Sequence, residues 1–400
     1  MLELEVARAR ILAQLPPPVP ERVAIPDAAE RVLAEDLHAP ISLPPFDNSA
    51  MDGYAVRAAD TQSARATSPA ALRLVGRTAA GENFSGPLQA GECLRLFTGS
   101  PVPPGADAVV MQEDTRPTEK PDVVLICDRV QSGENIRRRG EDLAAGDTIG
   151  TAGEVLNAAR LGLLAAMGVR AIQVGRQPVV GLLATGSELR DTGAALAPGQ
   201  IYESNRAALA PLITRAGGRP KPWPLVPDSL AATADALRTA LTECDLVVTS
   251  GGVSVGEMDF VKAAFAQLGG ELDFWKVAIR PGKPFLFGRC GGKFLFGLPG
   301  NPVSAFVTFL LLVRPALRRW QGAAVTTLPA QPGRAAESFA NPGDRRHFVR
   351  VRVDEGGNVH STGRQGSHVL GSLAAANALL SLVPGARVGA GESVTVLRWD

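Results

Sequence analysis

Residues 246–259 read LVVTSGGVSVGEMD: a short apolar run, a polar turn holding Gly251, Gly252 and Gly256, and Asp259 at the far end. So short an apolar run suits a strand buried on both faces. Glycine lets the following turn curl tightly enough for backbone amides to surround an oxyanion at a helix N-terminus. Two further strand-like runs end in the same way, 179–184 opening into ATGSEL (184–189) and 294–298 into LPGNPVS (298–304). Helical stretches occupy 205–216, 230–241, 260–268 and 303–320. Strands alternating with helices predict a parallel sheet covered on both faces, a three-layer α/β/α unit. In open α/β sheets ligands bind beyond the carboxyl ends of the strands, so the three polar loops are expected to converge.

Outward from this core the texture changes. Residues 2–15 and 27–37 carry apolar positions at helical spacing, the second opened by Pro26 and Asp27, and 154–168 return to that period with Gly168 as a stop. Between them, 72–76, 93–98, 108–112 and 123–130 are strand-like and separated by Gly- and Pro-rich turns, which predicts a small all-β unit inserted between helices. In the last part Val349, Val351 and Val353 point one way and Arg350 and Arg352 the other before a turn at 355–358, so a small β-barrel or sandwich is expected there.

Composition excludes several classes. The 400 residues need more than one core, and a hydrophobic share of 45% with 20% charged residues is that of a globular protein. Forty-one basic residues against 40 acidic ones leave a net charge of +1, so no bulk field exists to hold nucleic acid or an acidic membrane, and any anion site is local. Cys93, Cys127, Cys244 and Cys290 are scattered with no CxxC, arguing against a disulfide framework or zinc knuckle and for a reducing compartment. The N-terminus does not read as a signal peptide, and the longest apolar run, 305–313, is far below the roughly 20 residues of a membrane span. A soluble, cytoplasmic protein is the expectation.

Several polar residues carry chemistry, each with a plainer alternative. Glu188 follows a strand directly and is either a capping carboxylate or a ligand; Asp259 could cap a helix or bind a cation. Ser250, Gly251, Gly252, Ser254 and Gly256 belong to the amide-rich turn, which matches neither the Walker nor the dinucleotide fingerprint. Pro299, Gly300, Asn301 and Pro302 form the third loop, where Pro302 suits a first helical position. In FWKVAIRPGKPF (274–285), Lys276, Arg280 and Lys283 stand in so apolar a setting that each charge calls for a partner. Asp47 and Asp52 in PPFDNSAMDGYAV (44–56), Thr98 in TGSP, the run ENIRRRGED (134–142) and GRQGSH (363–368) read as Asx-turns, a basic loop and a hairpin loop when taken singly.

Taken together, FDNSAMDGYAV, NIRRRGED, GQIYESN, TSGGVSVGEMDF, RPGKPF and GLPGNPVSA resemble, in order and spacing, the molybdopterin molybdenumtransferase family, the bacterial MoeA type that is also similar to the C-terminal portion of gephyrin. The resemblance covers nearly the whole chain. It implies four parts: a helical linker and dimerisation domain (1–44 with 146–176), an inserted β lid domain (45–145), a central α/β molybdopterin-binding domain (177–327) and a C-terminal β-barrel domain (328–400). It further implies a homodimer with the active site between subunits, Asp52, Thr98 and Asp142 coming from the lid. Glu188, Asp228 and Asp259 are then the central carboxylates and Lys276, Arg280 and Lys283 the cations, with Pro299, Pro302 and Ser367 lining the site and Arg350 a further candidate. Two departures stand out: Arg280 where several relatives have lysine, and Ser187 where aspartate is common.

The implied reaction inserts molybdate into adenylyl-molybdopterin with release of AMP. Lys276, Arg280, Lys283 and Ser367 would hold oxyanions by charge-assisted hydrogen bonds. Acids crowded at one site cannot all be ionised without a cation, so Mg2+ is assigned to Asp142, Glu188, Asp228 and Asp259. A molybdopterin adenylyltransferase is the implied delivering partner. That adenylyltransferase activity is also the nearest rival reading, but it leaves lid, linker and barrel without a purpose. An interaction scaffold is the rival of a different class, and the chain has no disordered linker to recruit partners.

Overall fold

The computed structural model describes residues 1–253 and 260–399. The chain forms two compact units, one of Asp36–Gly150 with Gly162–Val169, the other of Met1–Glu35, Thr151–Leu161 and Arg170–Asp400.

In the larger unit six strands make the central sheet: β1 (Val179–Ala184), β2 (Arg219–Pro222), β3 (Leu246–Ser250), β4 (Glu271–Trp275), β5 (Leu286–Cys290) and β6 (Lys293–Leu298), in the order β2-β1-β3-β6-β5-β4. Side chains alternate across it. Leu183, Val247 and Leu295 bury against Leu237, Ala240 and Phe265 of the helices Leu230–Glu243 and Val261–Gln267. Leu182, Val248 and Phe296 bury on the opposite face among Leu209, Ile213, Val307 and Ile11, from Asn205–Arg215, Pro302–Thr308 and the N-terminal helix Leu4–Gln14. These are the three layers, and burial on both faces is why the strands read as continuous apolar runs.

The sheet is not wholly parallel. β2, β1, β3 and β6 run parallel, but β5 and β6 form an antiparallel hairpin and β4 pairs antiparallel with β5. Only Gly291 and Gly292, both at positive φ, separate β5 from β6, and so short a link cannot make the crossover that parallel pairing needs.

A second helix near the N-terminus is also absent. A 3-10 turn (Ile25–Asp27) ends where residues 27–37 begin, Glu30 then stands at φ 60, and Val32 and Leu33 bridge Val155 and Val174. A left-handed residue in mid-segment stops a helix, and the apolar positions serve extended pairing instead. Pro20–Ala24 pairs antiparallel with Ala171–Gly175, and the helix expected over 154–168 is confined to Ala158–Ala166 behind the Asn157 side chain, whose oxygen accepts from the Arg160 N–H.

The smaller unit holds the expected all-β sheet, with strand order Ala108–Met111, Gly53–Val56, Glu92–Leu96, Ala70–Thr78, Val123–Ile126, Thr115–Pro117. In the larger unit, Ala330–Ala335, Arg346–Val353, Asn358–Ser361, Ala378–Leu382 and Ser393–Arg398 close on themselves as a five-stranded barrel, because Arg346–Val353 pairs with both its hairpin neighbour and Ala378–Leu382. Ile279–Arg280 pairs with the start of the barrel strand Arg346–Val353, at Arg346 and His347, so the segment carrying the three cations is tied to the barrel.

Candidate active site

The carboxyl ends of β1, β3 and β6 lie level, Ala184 opposite Ser250 and Ser250 opposite Leu298. The loops leaving them meet, as predicted. The Gly251 N–H donates to the Leu298 carbonyl and the Thr185 N–H to the Ser250 carbonyl, so each turn is pinned to its neighbour. Gly251 and Gly252 sit at φ +94 and +67; a Cβ on Gly251 would stand 2.6 Å from the Thr185 carbonyl oxygen. Glycine is required there by close approach as well as by backbone conformation. Because the Gly251 amide is already bonded, an oxyanion held at this turn has to draw on amides beyond it.

Together these loops enclose a cavity of about 280 Å³ lined by Glu188, Asp228, Gly251, Gly252, Pro299 and Asn301, with Pro284 entering from the cation-bearing segment. An adjoining cavity of about 520 Å³ shares Glu188, Gly300 and Asn301 and adds Ser250, Pro302 and His368. Asp228 is held by a reciprocal pair: the Ser187 N–H donates to its carboxylate and its own N–H donates to the Ser187 hydroxyl oxygen. Serine thus serves position 187 as an anchor for the neighbouring acid. Thr185 lines both cavities, and its buried hydroxyl has no partner among the described residues.

Asn205, which sequence reasoning did not single out, ties two loops together. Its side-chain amide donates to the Ser250 hydroxyl at 2.5 Å and to the Gly300 carbonyl at 2.8 Å. Its only local signal is its place at the start of a helical stretch inside GQIYESN. Glu203 and Arg206 form a further pair with no local sequence signal: the buried Glu203 carboxylate accepts from the Arg206 guanidinium and backbone N–H.

The three cations differ in setting. Lys276 is half-buried at φ 87 with its ammonium 3.8 Å from the Trp275 ring centroid, and Lys262 meets the same ring at 3.7 Å. Arg280 and Lys283 are exposed. Their charges are solvated, so the apolar surroundings that called for a partner at each position act on Lys276 alone. Ser367 approaches the third loop through its backbone: its carbonyl accepts from the Val303 N–H at the start of helix Pro302–Thr308. Arg350 alternates as expected yet is fully buried, because the loop after Ser361 covers its side of the barrel strand. Its guanidinium donates to the Ser372 hydroxyl and to the Arg364 and Gly366 carbonyls, and burial pushes its pKa down to about 10. It holds the turn that carries Ser367.

In the smaller unit Asp52 accepts from both the Thr98 N–H and the Thr98 hydroxyl at 2.8 Å, and these bonds, the backbone one foremost, hold its carboxyl below the usual range. Asp47 receives the Arg139 N–H and the Arg138 guanidinium, which lower it likewise. Asp142 is exposed, with its N–H donated to the Leu43 carbonyl. Ser254, Gly256 and Asp259 lie outside the described residues. Among the described residues no three His, Cys, Asp or Glu side chains cluster as a metal site. Glu188 and Asp228 nevertheless offer two carboxylates to one cavity, and hard oxygen donors of that number suit Mg2+, which keeps several of its waters.

Known proteins match this architecture part by part. Residues 2–168 match the MoeA N-terminal region (domain I and II), 181–319 a probable molybdopterin binding domain, and 332–399 the MoeA C-terminal region (domain IV). A molybdopterin molybdenumtransferase of Haemophilus influenzae is 39% identical over 99% of this chain and 98% of its own length. The chain belongs to the molybdopterin molybdenumtransferase family. With it goes the assignment to the transferases of molybdenum cofactor biosynthesis. Molybdopterin molybdenumtransferase 2 of Mycobacterium tuberculosis is 40% identical over 95% of both chains. A crystal structure of a molybdopterin biosynthesis MoeA protein from Pyrococcus horikoshii superposes with a TM-score of 0.84 at 29% identity, covering 100% of both chains. No helix among the described residues is long and apolar enough to cross a membrane.

Proposed function

We propose that this chain inserts molybdate into adenylyl-molybdopterin with release of AMP, in an Mg2+-dependent reaction, and that it works in the cytoplasm as a homodimer receiving its substrate from a molybdopterin adenylyltransferase. The observation that carries this reading is the convergence of the loops after β1, β3 and β6 on one cavity faced by Glu188 and Asp228. The names of the relatives support the molybdenum chemistry.

Molybdate is a dianion and the adenylylated pterin carries a pyrophosphate, so cations must offset their mutual repulsion. Lys276, Arg280 and Lys283 supply that charge, Ser367 a hydroxyl donor, and the Ser250–Gly252 turn with Pro299–Pro302 the walls that orient the pterin. Glu188 and Asp228, with Asp259 and the partner subunit's lid acid at position 142, would hold Mg2+, which when bound polarises the pyrophosphate. Asp52, fixed by Thr98, is a preoriented acceptor for the same site.

Asp228→Ala and Asp142→Asn should each keep the fold and bind molybdopterin while Mg2+-dependent AMP release falls by roughly a hundredfold or more. Unchanged AMP release in both variants overturns the metal assignment. Incubation with ATP and molybdopterin separates the rival chemistry: an adenylyltransferase consumes ATP, and this chain is expected not to.

A further inference from the structure

At the amino end of β1, the opposite edge of the sheet from the candidate active site, lies a cavity of about 610 Å³ bordered by Gln177 and by the helix ends around Arg215 and Arg314. Its volume is within the range of small-molecule pockets. Arg215, Arg314, Arg318 and Arg398 line it, and the acid among its described lining residues is Glu30. Among the described lining residues guanidiniums therefore outnumber carboxylates.

The hydrogen-bond partners of Arg314 and Arg318 are neutral carbonyls, with the Glu30 carboxylate acting on Arg318 electrostatically. Arg314 donates to the Thr326 carbonyl at 2.8 Å, and Arg318 donates one nitrogen to the Arg215 carbonyl at 2.9 Å, closing off the end of helix Asn205–Arg215. The other two nitrogens of buried Arg318 and the Nε of Arg398 have no partner among the described residues. Burial, reinforced by Arg318 and Arg215 nearby, pushes the Arg314 pKa down to about 10, so the group remains cationic at neutral pH. Helix capping accounts for one bond of one arginine. It does not account for buried Arg318 and half-buried Arg314 and Arg398 gathered around one open space, an arrangement that is costly unless an anion joins them. The remaining wall is apolar, with Leu212, Phe309, Leu328 and Trp399.

We propose that this cavity is a second small-molecule site, taking an anion carried on an apolar or aromatic body. Charge complementarity sets the anion and the Phe309–Trp399 wall sets the body. Nothing in it draws on the chemistry of the active site.

Phenyl phosphate is the probe, titrated calorimetrically into the full-length protein, with Lys276→Ala as the variant that weakens anion binding at the active site. The expected result is binding retained in Lys276→Ala and weakened at least about tenfold in Arg314→Gln and in Arg398→Gln, as the loss of a charge-assisted hydrogen bond implies. Both variants should keep the wild-type melting profile and molybdenum insertion. Affinity within about twofold of wild type in both arginine variants overturns the site. So does binding lost in Lys276→Ala but kept in Arg314→Gln. If phenyl phosphate fails to bind while Arg314→Gln alters the sedimentation coefficient, carboxylates of a second copy neutralise the arginines, and the small-molecule reading is wrong.

Discussion

Arg350 shows how a single buried side chain can hold a whole turn in place. Its guanidinium gathers Ser372 and the carbonyls of Arg364 and Gly366, so the turn bearing Ser367 rests on one buried cation. Arg350→Met removes those donors; it should cost about 2 to 4 kcal/mol of stability by denaturant midpoint and raise KM more than it lowers kcat, and an unchanged KM would contradict the positioning role. Gly251 makes a similar case from backbone. Gly251→Ala should destabilise by about 1 to 3 kcal/mol, because the Thr185 carbonyl 2.6 Å from the new Cβ cannot move without breaking its own loop, whereas Gly300→Ala meets nothing closer than 3.6 Å and should melt like wild type. Both loops were legible in the sequence because glycine, proline and a strand end are local signals. Asn205 was not, since its partners lie 45 and 95 residues away and no local pattern encodes them.

Elements were most legible where burial is two-sided or period-two, as in β1, β3, β6 and the barrel strand Arg346–Val353. They were least legible where local and tertiary preferences conflict. Residues 27–37 carry helical spacing, yet Glu30 turns left-handed and bridges take the apolar positions. The run 303–320 reads as one helix but is three pieces: Pro302–Thr308, a π turn at Phe309–Val313, and Arg314–Trp320. Pro315 has no N–H to donate into the preceding turn, and the wider turn accommodates its ring. The barrel strand also carries a pH signature. Burial foremost, with Arg280, Arg350 and Arg345 adding to it, pushes His347 down to about 4, so the folded protein keeps it neutral while the unfolded chain protonates it near 6.5. The unfolded state therefore binds more protons between those values, and stability should fall by on the order of 2 to 3 kcal/mol as pH drops from about 6.5 toward 4. Denaturant midpoints at the two pH values should show this loss shrinking in His347→Gln; an equal loss in the variant would exclude His347 as its source.

At the scale of the whole molecule, the proposed chemistry needs acids and cations from remote parts of the sequence to act at one place. Asp52, Thr98 and Asp142 stand in the smaller compact unit, and Glu188, Asp228 and Lys276 in the larger. If the working site draws lid residues from one subunit and central residues from the other, Asp142→Asn and Asp228→Ala damage different contributors to the same site. Co-refolding the two inactive proteins in equal amounts should then restore AMP release to about a quarter of wild type, since about half the dimers are mixed and one of the two sites in each is intact. AMP release that stays at the level of the separate variants, with mixed dimers verified by mass, would contradict a site shared between subunits.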